Sequence, residues 1–171
     1  MVPSLGNMIL LGHIVNILEE NSDLHLVIDS PSSGHMISLF ESLNTWKNIF
    51  QTGVLTNDIE HMLDFLSREE NLEVNIVTLP SEMSIEESCE LKQTLASKLT
   101  VEPKIILNNL LSKSDFLLNQ NEIPLFLENK IKIEEQILME LLPTGTYAYT
   151  SHHVDKDYQQ IVLSLASELS K

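Results

Sequence analysis

The sequence predicts an α/β fold, a partial doubly wound parallel sheet flanked by helices. Short, nearly continuous apolar runs occur at 24–28, 74–79, 104–107 and 146–150, most of them rich in β-branched residues. Buried parallel strands read this way, without the alternation of a half-solvated sheet. Between the runs lie longer stretches with apolar residues at helical spacing, so strand and helix alternate to the end of the chain. The intervening segments are long enough for right-handed crossovers, which place helices on both faces of a parallel sheet. With 171 residues and 43% hydrophobic content, a single domain over 1–171 can bury its core without disulfide or metal staples.

The elements follow in order. Met8, Leu11, Val15 and Leu18 form one stripe of an amphipathic helix, which Glu19, Glu20, Asn21 and Ser22 bring to an end. Leu24-His25-Leu26-Val27-Ile28 is too short for a helix and runs into Asp29-Ser30-Pro31-Ser32-Ser33-Gly34, which predicts a buried strand feeding a loop. The helical pattern over 36–70 is interrupted at Asn44-Thr45 and Thr52-Gly53, which suggests two or three short helices with Thr56 or Asn57 as a cap. A second strand at 74–79 stops at Pro80, and Ser84-Ile85-Glu86-Glu87 has capping-box spacing for a helix over 85–98. A third strand covers 104–107. A helix over 123–142 carries Ile131, Ile133, Ile137, Leu138 and Leu141 and ends at Pro143-Thr144-Gly145. A fourth strand at 146–150 and a helix over 157–169, with Ile161, Leu165 and Leu169 on one face, close the chain.

Composition removes several classes of function. Lys and Arg total 10 against 25 Asp and Glu, and a net charge of −15 repels phosphate backbones and anionic lipid. No nucleic-acid partner is expected. No apolar run is long enough to span a bilayer, so direct membrane insertion is not expected either. The N-terminal residues lack a basic region and a small-residue cleavage site, and Cys89 is the sole cysteine; both fit a reducing cytoplasm. Cys89 sits in a helical stretch beside Glu86, Glu87 and Glu90, a poor setting for a nucleophilic thiolate, and no G-x-S-x-G elbow is present.

Ligands of open parallel sheets bind at the carboxyl ends of the strands. The first such end is Asp29-Ser30-Pro31-Ser32-Ser33-Gly34-His35. A carboxylate there can hold magnesium through water, and small residues with a glycine let backbone amides approach a phosphate. The bland alternative is a turn or a helix cap. Three segments in order then carry a family resemblance. Val27-Ile28-Asp29-Ser30-Pro31-Ser32-Ser33-Gly34-His35 is similar to the switch II pattern D-x-P-x-T-G-H of the arsenical-pump and tail-anchored-protein-targeting (anion-transporting) P-loop ATPases, with Ser33 in place of threonine. Val77-Thr78-Leu79-Pro80-Ser81-Glu82-Met83-Ser84-Ile85-Glu86-Glu87 resembles that family's V-T-L-P-E-E-M-x-V-x-E, and Ile105-Ile106-Leu107-Asn108-Asn109 its V-V-x-N strand end.

The resemblance covers essentially the whole chain and implies the C-terminal half of a P-loop NTPase fold. It makes Asp29 the magnesium carboxylate, the segment 30–35 (with Ser30, Ser33 and Gly34) a sensor of the γ-phosphate, and Asn108 a contact to the adenine edge. The loop Thr150-Ser151-His152-His153-Val154 would border the base. Read without the family, His35, His152 and His153 are surface or packed histidines; adjacent histidines diverge, and no further ligand stands at metal spacing.

The departures limit the activity. No G-x-x-x-x-G-K-[ST] occurs, and none of the five glycines is followed by lysine, so the phosphate cradle and its charge are absent from this chain. ATP and magnesium are therefore expected only together with a P-loop-bearing polypeptide, and the chain alone is not expected to hydrolyse ATP. Self-association is the other expected assembly. The alternatives are a nucleotide-free interaction or scaffold protein of the same fold, using 36–66 as a docking surface, and an inactive fragment translated from an internal methionine.

Overall fold

The computed structural model describes residues 5–30, 33–50, 52–114, 123–141, 147–153 and 157–170. The chain divides into two compact units, one of residues 1–73 and 94–102, the other of 74–93 and 103–171.

The first unit is helical. Helices α1 (Leu5–Glu20), α2 (Ser33–Ile49) and α3 (Val54–Ser67) pack on one another. Of the predicted stripe on α1, Met8, Leu11 and Val15 are buried against Leu39, Leu43 and Trp46 of α2 and Ile59 and Met62 of α3, and Leu18 is half-buried. α2 runs unbroken through Asn44-Thr45, because Leu43 and Trp46 on either side are pinned in this core. The interruption at Thr52-Gly53 is real. Gly53 adopts φ 118°, a conformation that favours glycine, and α3 begins at the next residue. Thr56 does not cap α3; its hydroxyl, one turn into the helix, donates instead to the Phe50 carbonyl at 3.1 Å. Within α2 and α3, Leu43 is 1% exposed and Ile59 fully buried, whereas Ile49 is 56% and Val54 80% exposed.

The segment 24–28 corrects the sequence reading. It is not a strand. It follows a turn closed by the Leu24 N–H on the Asn21 carbonyl at 3.0 Å, and all five residues are exposed, Val27 at 91%. A β-rich run becomes a strand only where another backbone accepts its ladder, and no described strand lies beside this one.

The second unit holds the sheet, which among the described residues has three strands instead of four: β1 (Asn75–Thr78), β2 (Lys104–Leu110) and β3 (Tyr147–Ser151), parallel and in the order β1-β2-β3. Helix α4 (Glu82–Ala96) follows β1. Ser81, not Ser84, stands at its start: the Ser81 hydroxyl oxygen accepts the Ser84 N–H at 3.4 Å, so the helix begins three residues before the capping box suggests. The buried Thr78 hydroxyl donates to the Ser84 carbonyl at 3.0 Å, tying the end of β1 to the first turn of α4. A 3-10 turn (Leu111–Lys113) continues directly from β2, and helices α5 (Leu125–Leu141) and α6 (Tyr158–Leu169) flank β3 in sequence.

Register assigns the faces. Ile76 lies beside Ile105 and Thr78 beside Leu107, and all four are buried. The opposite face carries Asn75 and Val77 beside Lys104 and Ile106, and there Val77 is 62% exposed and Lys104 lies in solvent. Helices therefore do not cover both faces of the β1–β2 pair, and β1 stands at the sheet edge. In α5 the buried stripe is Glu134, Ile137 and Leu138, whereas Ile133 is 39% exposed. The expected helix stop at 143–145 lies outside the described residues.

Candidate functional site

The carboxyl ends of β2 and β3 gather the densest polar network in the second unit. Asn108 falls at this end as the sequence predicts, but β2 continues past it to Leu110. Pairing with β3 shifts register between Leu107 and Leu110, and Asn109, in the irregular stretch, takes φ 70°. Asparagine tolerates this left-handed conformation better than other side-chain-bearing residues. The bulge redirects both asparagine side chains toward β3.

Thr150 links them. Its hydroxyl donates to Asn108 Oδ1 at 2.7 Å and accepts the Asn109 N–H at 3.3 Å. The Asn109 Oδ1 meets His152 Nδ1, and the His152 N–H donates to the Leu110 carbonyl at 2.9 Å. Ser114, just beyond the 3-10 turn, donates its hydroxyl to the His152 carbonyl at 2.7 Å. Two acidic side chains close the arrangement from the helices. Glu134 of α5 accepts the Ser112 N–H at 2.9 Å, and Glu168 of α6 accepts the Ser151 N–H at 2.8 Å. The Glu168 Oε1 also stands 3.9 Å from His153 Nε2, whose ring is nearly buried. Lys113 places its ammonium 6.0 Å from the Tyr149 ring centroid.

Chemically this end offers amide and imidazole groups in fixed orientations and two carboxylates. Among the described residues it offers few cations and no loop of backbone amides shaped for a triphosphate. It suits a neutral, hydrogen-bonding group such as a base edge better than a phosphate. His152 and His153 diverge as expected: one turns to Asn109, the other toward Glu168. Among the described residues no three His, Cys, Asp or Glu side chains come together as a metal set.

The remaining predicted residues belong to the helical unit. Asp29 is exposed and follows an extended segment, not a strand. Ser30 is half-buried, Ser33 opens α2, and Gly34 lies exposed in the first turn with open space where a Cβ would stand. Pro31 and Ser32 lie outside the described residues, as does Val154. The segment similar to switch II is thus part coil and part helix start. A single exposed carboxylate such as Asp29 can hold magnesium only through water and with phosphate oxygens supplied by a nucleotide. Two shallow clefts in the helical unit, of about 260 Å³ lined by Lys47, Phe50, Thr56 and Glu60 and of about 220 Å³ lined by Phe40, Leu63 and Lys98, include none of these residues.

Asn109, Ser112, Ser114, Glu134 and Glu168 are the members of the strand-end network that sequence reading did not single out for a role. For Glu134 a signal existed. It falls on the stripe Ile131, Glu134, Leu138, and a charge on an apolar stripe marks a buried, partnered group.

No protein-family model matches this chain, and no curated protein shows significant similarity to it. What the structure defines is one unit with a small parallel α/β sheet and flanking helices, and another unit of three helices. No helix among the described residues is long and apolar enough to cross a membrane.

Proposed function

We propose that this chain is the switch-bearing part of an ATPase of the arsenical-pump type, cytoplasmic, and active only with a P-loop-bearing polypeptide. Asp29 would hold magnesium through water, Ser30, Ser33 and Gly34 would sense the γ-phosphate, and Asn108 with the end of β3 would border the adenine. The partner would supply the phosphate cradle, which carries most of the affinity and rate in such chemistry.

The observation that carries this reading is the order of three segments, 27–35, 77–87 and 105–109, each similar to a motif of that family. Five residues with strand chemistry, immediately before Asp29, lie extended and exposed. The family layout makes that segment a sheet strand beside the P-loop strand, so its failure to form one in this chain counts against the reading. The β1 edge and the exposed Val77 face fit a sheet that gains further elements on assembly.

A second reading is a nucleotide-free interaction protein of the same fold. One observation favours it: the Asn108 Oδ1 is already engaged by the Thr150 hydroxyl. Co-expression with the P-loop half of an arsenical-pump ATPase separates the two. Magnesium-dependent ATP hydrolysis that appears in the mixture and is lost with Asp29→Ala supports the ATPase reading. A soluble complex without hydrolysis supports the interaction protein.

A further inference from the structure

Among the described residues Glu134 is the only charged side chain that is fully buried. Its Oε2 accepts the Ser112 N–H at 2.9 Å, while its Oε1, like the Ser112 hydroxyl, is buried without a protein partner. Burying a carboxylate with half its lone pairs idle is unfavourable, and the carboxamide of glutamine would accept the same N–H. What the charge adds is strength, because a hydrogen bond to an ionised acceptor is roughly twice as strong as a neutral one.

The bond is spent on the 3-10 turn, and that turn leads to His152. The segment 109–114 grips this histidine at three points: Asn109 at the ring Nδ1, Leu110 at the N–H, and Ser114 at the carbonyl. Glu134 anchors the middle of the same segment from α5. With Asn109 Oδ1 as the acceptor, Nδ1 carries the ring proton and Nε2 keeps its lone pair. No described residue bonds Nε2.

We infer that Glu134 is a positioning residue of the strand-end site: through the 3-10 turn it holds His152 in one orientation and one tautomer, with Nε2 presented as a fixed hydrogen-bond acceptor. The inference rests on the reading that the ends of β2 and β3 face a ligand. Its test needs neither ligand nor partner, so failure of the ATPase reading leaves it standing or falling on its own result.

The test is ¹⁵N NMR of the histidine rings in the full chain, at a pH where His152 is neutral. The wild type should show His152 almost wholly as the Nδ1–H form. Glu134→Ala should convert it to a mixture with a substantial Nε2–H share, Glu134→Gln should restore most of the wild-type signal, and the rings of His13 and His61 in the helical unit should not move. A natively folded Glu134→Ala variant with an unchanged His152 signal overturns the inference, and so does a wild type already in the Nε2–H form. Should Glu134→Ala fail to fold, Ser114→Ala releases the His152 carbonyl from the same segment and must shift the tautomer mixture; an unchanged ring there overturns it equally.

Discussion

The Thr150 hydroxyl donates to Asn108 Oδ1 at 2.7 Å, joining β2 to β3 by side chains at the point where their backbone register slips. The same oxygen accepts the Asn109 N–H. One threonine therefore stitches both asparagines across an irregular pairing that backbone bonds alone leave incomplete.

Thr150→Val keeps the shape and deletes both bonds. It should destabilise the sheet unit by about 1–3 kcal/mol, since it strands a part-buried acceptor and a backbone donor. Urea unfolding followed on the sheet unit measures this. Combined with Asn108→Ala, a double-mutant cycle should return a coupling of about 1 kcal/mol.

The helical core gives a second contrast. Leu43, 1% exposed, packs between α1 and α3, and Leu43→Ala should cost about 2–5 kcal/mol. Ile9 on α1 is 60% exposed, and Ile9→Ala should change stability by less than about 0.5 kcal/mol. Thermal unfolding of the two variants, monitored by helical circular dichroism, checks the burial directly.

Hydrogen exchange tests the segment 24–28. Its amides should exchange at nearly unprotected rates, while those of Ile105 and Leu107 in β2 should be among the slowest in the sheet unit. Protection at 26–28 in the isolated chain would mean that a ladder forms there after all.

Calorimetry of ATP and magnesium on the isolated chain should show no binding at micromolar affinity, because no lysine-bearing phosphate loop is present. Heat of binding abolished by Asp29→Ala would point to a phosphate cradle of another design.

Much of the sheet unit was legible in the sequence, and the reason is local. The runs at 74–79, 104–107 and 146–150 are bounded by Pro80, Pro103 and Gly145, and the three strands form there. The run at 24–28 carries the same chemistry and fails, because strand formation is decided by a neighbour and not by the segment itself. Glu134 shows the converse. Beside Glu135 it reads as one more surface charge of α5, and only its placement on the stripe with Ile131 and Leu138 hints that packing takes it inside. At the candidate site the residue type of Asn108 was legible, but the bulge was not. Which of two adjacent asparagines turns left-handed depends on the register with β3.

The exposed run 24–28 also changes what holds α1 in place. A protease cutting there would sever the backbone between α1 and α2 without touching Met8, Leu11 or Val15, which stay buried against Leu39, Leu43 and Ile59. In the intact chain the covalent link contributes only an effective concentration, on the order of millimolar for a short linker. α1 is in that sense a peptide ligand carried on a leash by its own receptor. A nicked chain should keep its helical fold at high protein concentration and shed its first helix on dilution.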